Sequence, residues 1–154
     1  MIRILLCFLS VISFNIAVAQ ITMAEKADWI PIGKLKTLGS TKASLEYMLS
    51  GRDTVYFLFM KDFTKRGEKA ESHFFSIKFN GVDNTFGKFY ELLKSFFLDE
   101  NRKNKKYTQT FRLGDQMVNL QHQLLVTGKG IMLTTKEGYI NLSEGEIEKL
   151  FGKK

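Results

Sequence analysis

Phe86, Phe89, Tyr90, Leu93, Phe96 and Phe97 fall at the offsets of a single helical stripe, while Lys88, Glu91, Lys94 and Ser95 lie off it. This is the strongest helical pattern in the chain, and its apolar face is almost entirely aromatic. Such a helix cannot leave that face in water. It is expected to lie across a sheet and fill the groove with rings. Asp83 or Asn84 stands where a capping side chain is needed.

The segments on either side carry strand signals. Ala43, Leu45, Tyr47 and Leu49 alternate with Ser44, Glu46 and Ser50, and Ser50-Gly51-Arg52-Asp53 reads as a turn. Thr54 to Met60 is apolar on both faces, as in a central strand covered on each side. A polar loop from Lys61 to Glu71 separates it from a strand in which His73, Phe75, Ile77 and Phe79 share a face, and Asn80-Gly81 ends that strand. Beyond the helix, Asp99 to Lys106 reads as a charged connector. Strands follow over Tyr107–Leu113, Gln116–Val126, Ile131–Thr135 and Tyr139–Leu142, with turns at Gly114-Asp115, Gly128-Lys129-Gly130 and Lys136-Glu137-Gly138. Ser143 and Glu146 have the spacing of a capping box, and Leu142 and Ile147 that of a hydrophobic staple. A short final helix is expected, with Ile147, Leu150 and Phe151 on its apolar face and Gly152 at its end.

Tight turns between successive strands demand antiparallel pairing. The expected class is therefore α+β: an antiparallel, meander-like sheet of about six to eight strands, with one long aromatic-faced helix and a short C-terminal helix packed on it. The two halves look loosely alike, as strands then helix, without a residue-level repeat.

At the N-terminus, Met1-Ile2-Arg3 precedes an apolar run from Ile4 to Ile12, and Ala17-Val18-Ala19 offers small residues at a peptidase site. Residues 1–19 read as a cleavable signal peptide. Ser10, Ser13 and Asn15 interrupt the run before it reaches the ~20 apolar residues of a spanning helix. Residues 20–42 read as a flexible start and an irregular edge strand, and 43–154 as a single α+β domain. Cleavage would remove Cys7, the only cysteine, and with it disulfides, thiol catalysis and cysteine-bound metal. The expected location is periplasmic or secreted. The formal charge of +7 becomes +6 once Arg3 is lost, so the remaining chain is still basic.

No residue pattern nominates a catalytic centre, a metal or a cofactor. His73 and His122 each alternate with apolar residues, without ligand spacing, and read as satisfied, partly buried side chains. Only if their strands were neighbours could both line one site. No Gly-x-Ser-x-Gly element is present. The acids Glu144, Glu146 and Glu148 suit the first turns of a helix rather than paired-carboxylate chemistry. Thr127-Gly128-Lys129-Gly130 lacks phosphate-loop spacing and reads as a hairpin turn.

Basic segments are the remaining candidates. Lys61, Phe63, Lys65, Arg66 and Lys69 form one cluster in the long hairpin loop, and Arg102, Lys103, Lys105 and Lys106 another in the connector. Both could face an anionic partner. Phe63, a ring inside a charged loop, either folds back on the sheet or is an exposed anchor. The expected function is an exported, non-catalytic binding or assembly module of the cell envelope, meeting a protein or an anionic envelope component. Nucleic acid is not an expected partner. One alternative is a carrier or sensor of a small apolar ligand held between helix and sheet; another is a small hydrolase-like enzyme using a histidine.

Overall fold

A computed structural model describes residues 28–64, 73–126 and 128–154. The expected leader and the loop cations Lys65, Arg66 and Lys69 lie outside the described residues. Four strands come first: β1 (Ile30–Thr37), β2 (Ser40–Ser50), β3 (Asp53–Lys61) and β4 (Phe74–Asn80). Helices α1 (Thr85–Ser95) and α2 (Asp99–Lys103) follow, then β5 (Thr108–Leu113), β6 (Gln116–Leu125), β7 (Gly128–Thr134), β8 (Tyr139–Ser143) and α3 (Glu144–Leu150).

The class is α+β with antiparallel strands, but the single sheet expected from the turns is instead two four-stranded sheets, ordered β1-β2-β3-β4 and β5-β6-β7-β8. Every pairing within them is antiparallel and sequential. The division falls where α1 and α2 interrupt the meander: a strand can pair through a tight turn only with its immediate predecessor, and β5 has none. Each half is thus four strands in sequence order, followed by helix. The charged connector also contains α2, a helix too short to carry a periodic signal.

One core unites both halves. Leu45, Leu58, Met60 and Ile77 of the first sheet and Leu120, Ile131, Leu133 and Ile140 of the second are buried in a single cluster with Phe89, Leu93 and Phe96. The aromatic stripe packs as expected. Phe89 meets Phe79, Phe111 and Phe151 at centroid distances of 5.9, 6.0 and 5.6 Å, and Tyr56 stacks between Phe79 and Phe86. Rings therefore fill the space between helix and sheets.

Alternation assigns the two faces of the first sheet. Leu58 and Met60 point to the core, whereas Phe57 and Phe59 are half-buried and stand on the opposite face, outside the core cluster. The expectation of a β3 strand covered on both sides is corrected accordingly.

Close approaches join the layers. A side chain at Gly114, which has φ of 61°, would lie 2.0 Å from the Lys78 carbonyl oxygen, so only glycine lets the β5–β6 turn meet β4. On the other side of the core, α3 packs its last turn directly on β1 at Gly33. The cap of α3 is as its spacing predicts. The Ser143 N–H donates to Glu146 Oε2 at 2.9 Å, and Ser143 Oγ accepts from the Glu146 N–H at 3.4 Å. The start of α1 differs from expectation: Asn84 takes the cap position in a left-handed conformation, with no side-chain capping bond.

Candidate anion-binding pocket

The turn sequence after α1 builds the pocket. Asn101 Nδ2 donates to the Ser95 carbonyl at 2.9 Å, the Arg102 N–H donates to Leu98 O at 2.8 Å, and Asn104 Oδ1 accepts from the Lys106 N–H at 3.1 Å. These bonds turn the connector on itself, and a contact from His122 holds it against β6. Asp99 and Glu100 in the first turn of α2 and Arg102 and Lys103 in its last turn match the helix dipole.

His122 fixes the position of this segment. A carbonyl can only accept, so the 3.0 Å contact between His122 Nε2 and Asn101 O places the proton on Nε2. Phe96 and Tyr107 hold the imidazole edge-on and tilted, at 5.2 and 6.2 Å. The ring is half-buried. Its Nε2 donor is committed to backbone.

Arg102, Lys103 and Lys105 from this segment face Lys129 across a pocket of about 520 Å³, completed by His122, Gln123, Leu124 and Gly130. Lys129 Nζ donates to the Arg102 carbonyl at 3.3 Å, which ties the β7 end of the rim to α2. None of the described lining residues is acidic. Four cations on one concavity repel each other and favour an anion between them. Leu124, 80% exposed, gives the rim one apolar surface.

The candidate cations of the sequence do not form one site. Arg102, Lys103 and Lys105 converge; Lys106 is exposed in the adjoining turn and does not line the pocket. Lys61 ends β3 on the far face of the first sheet, paired with Phe74. Phe63 takes the fold-back option: its N–H donates to the Tyr139 carbonyl at 3.0 Å, and its half-buried ring packs 6.3 Å from that of Tyr139. Sequence reasoning missed Lys129 and His122 as neighbours of the connector. No linear signal links them. Leu125 pairs with Gly128, so the β6–β7 reversal falls earlier than the Gly128-Lys129-Gly130 reading, and Lys129 stands opposite Leu124 at the strand end.

The two histidines are not brought together. His73 is exposed beside Asp62 ahead of β4, and His122 lies on β6 in the other sheet. The C-terminal cations are both engaged: Lys154 pairs with Glu148, and Lys153 Nζ sits 5.4 Å from the Tyr90 ring centroid. A larger groove, about 710 Å³, runs along α1 past Phe86, Tyr90 and Leu92, but its charges are mixed, with Lys88 and Lys153 against Glu91. It has no preferred ligand sign. Among the described residues, no three His, Cys, Asp or Glu side chains gather as a metal site, and no helix is long and apolar enough to cross a membrane.

Compared with protein-family models, with curated proteins and with solved structures, the chain matches none.

Proposed function

We propose that this chain is an exported, non-catalytic binding or assembly module of the cell envelope, and that the pocket between α2 and the β6–β7 hairpin holds an anionic group of its partner. The observation that carries this reading is the convergence of Arg102, Lys103, Lys105 and Lys129 on one concavity whose described lining contains no acid. Such a site attracts anions by charge, and Arg102 adds the planar fork suited to phosphate or carboxylate. Among the described residues, the Nε2–H of His122 is spent on the Asn101 carbonyl and no carboxylate lines the pocket to work with the ring, which favours binding over catalysis.

The test is an NMR titration with a short polyphosphate at low salt, where screening is weakest. Expected perturbations cluster at Arg102, Lys105, His122 and Gly130. The double variant Arg102→Ser/Lys129→Ser should weaken binding by about tenfold for each charged contact removed. Perturbations spread evenly over the basic surface, or unchanged affinity in the double variant, would reject the pocket.

A further inference from the structure

Trp29, Phe57, Phe59 and Phe74 form a row on the face of the first sheet that points away from the core. Centroids of successive rings lie 5.4, 6.3 and 4.7 Å apart. Strand register puts three lysines on the same face. Lys78 pairs with Phe57, Lys61 pairs with Phe74, and Lys34 pairs with Ser44, which in turn pairs with Phe59. None of the three makes a salt bridge with a described carboxylate, and the acid placed among them by register is Glu46. Phe74 is 39% exposed and Lys34 and Lys78 are exposed, so the row reaches solvent.

Ring orientation separates the possible occupants. Phe59 lies within 21° of parallel with Phe57 and within 14° with Phe74, so the rings turn their faces toward one another. Sugars and nucleobases stack on exposed ring faces. Phe59 stacks with both its neighbours, so its ring faces are taken up within the row. Rings flanked by lysines suit the boundary between headgroups and acyl chains, where rings enter the apolar layer and ammonium groups meet phosphate. The three lysines outnumber the acids on this face, Glu46 and, at the strand end, Asp53, which gives the complementarity that an anionic bilayer requires.

We propose that this face docks the protein on an anionic lipid surface, with Trp29, Phe57, Phe59 and Phe74 inserted shallowly and Lys34, Lys61 and Lys78 at headgroup level. This surface is separate from the basic pocket, since its residues belong to the first sheet and those of the pocket to α2 and the second.

Trp29 is the only tryptophan in the chain, so its fluorescence reads this face alone. The experiment mixes the full chain with vesicles of phosphatidylcholine, or of equal parts phosphatidylcholine and phosphatidylglycerol, with and without bromine-labelled acyl chains. Expected are a blue shift and bromine quenching of Trp29 with the anionic vesicles. Lys61→Ser/Lys78→Ser should lower partitioning by about 30-fold, as two lysines near an anionic surface would. Phe59→Ser/Phe74→Ser should remove the quenching while circular dichroism shows the fold retained. The apolar run Ile4–Ile12 could hold the chain on lipid by itself; binding would then be equal in both variants and on both vesicles, which would overturn the proposal. Loss of binding in Arg102→Ser/Lys129→Ser alone, with the face variants unaffected, would also overturn it, by assigning the headgroup to the pocket.

Discussion

Asp62 Oδ1 accepts a hydrogen bond from the backbone N–H of Tyr139 at 3.2 Å, which ties the end of the first sheet to the last strand of the second. The same carboxylate accepts from the Thr64 N–H at 2.9 Å and from the Thr64 hydroxyl. Burial works against its charge, but the Thr64 and Tyr139 bonds, with His73 nearby, outweigh it and hold the carboxyl below its ordinary range. Asp62→Ala is expected to cost about 1–3 kcal/mol, because it orphans donors beside a buried position. Urea denaturation measures the loss. Since the folded value is the lower one, the stabilisation is present above the ordinary value of 3.8 and is lost as pH falls below it. The gap between wild type and Asp62→Asn should therefore narrow in acid.

Lys94 on α1 meets Glu148 at 2.8 Å and also pairs with Glu144, both on α3, and Lys154 pairs with Glu148 in turn. Hydrogen bonds from Lys154 and then Lys94 outweigh desolvation and pull Glu148 down from 4.5 to about 2. Burial opposes the Lys94 charge, but its bonds to Glu144 and Glu148 raise it above its ordinary 10.5. The depressed acid contributes above pH 4.5 and the raised base below pH 10.5. Lys94→Met should accordingly lower the melting temperature within that window and have little effect once pH falls toward 2. Thermal melts across pH check this.

At Gly33 an added Cβ would lie 2.3 Å from the Lys149 carbonyl oxygen and 2.4 Å from that of Leu150. Backbone cannot yield as a side chain can. Gly33→Ala should therefore destabilise by about 1–3 kcal/mol through overpacking. Gly145→Ala, in α3 where a Cβ meets nothing within 4 Å, should stabilise by about 0.5–1 kcal/mol. Chemical denaturation of the two variants should give shifts of opposite sign.

His122→Phe keeps a ring against Phe96 and Tyr107 but leaves the Asn101 carbonyl without its donor. A stability loss of about 1 kcal/mol is expected. Hydrogen exchange at Arg102 and Asn104 should accelerate, because their N–H groups close the turns of α2 that His122 anchors. Unchanged exchange there would mean that the Asn101–Ser95 and Lys129–Arg102 bonds hold α2 without His122.

Local rules made much of the fold legible. The Ser143/Glu146 capping box, the aromatic stripe of α1 and the turns at Gly51 and Gly114 depend on residues a few positions apart, and all appear in the structure. The α2 helix escaped notice because five residues cannot display a period of 3.6. The pocket was half legible. Arg102, Lys103 and Lys105 announce themselves as a run, whereas Lys129 and His122 become their neighbours only when β6 pairs with β7 and the connector folds back over both.

Period, turn chemistry and capping act over a few residues, and they account for the class of the fold, its antiparallel strands and the buried faces of its helices. The split of the strands into two sheets, the bridge that Asp62 makes between them, and the placement of one basic run on a concavity while Lys61 stands on the far face arise only on closure of the whole molecule. Those outcomes depend on contacts between residues far apart in the chain, such as Asp62 with Tyr139 and Gly114 with Lys78. Such contacts are set by how one shared core closes, and no local pattern encodes that closure.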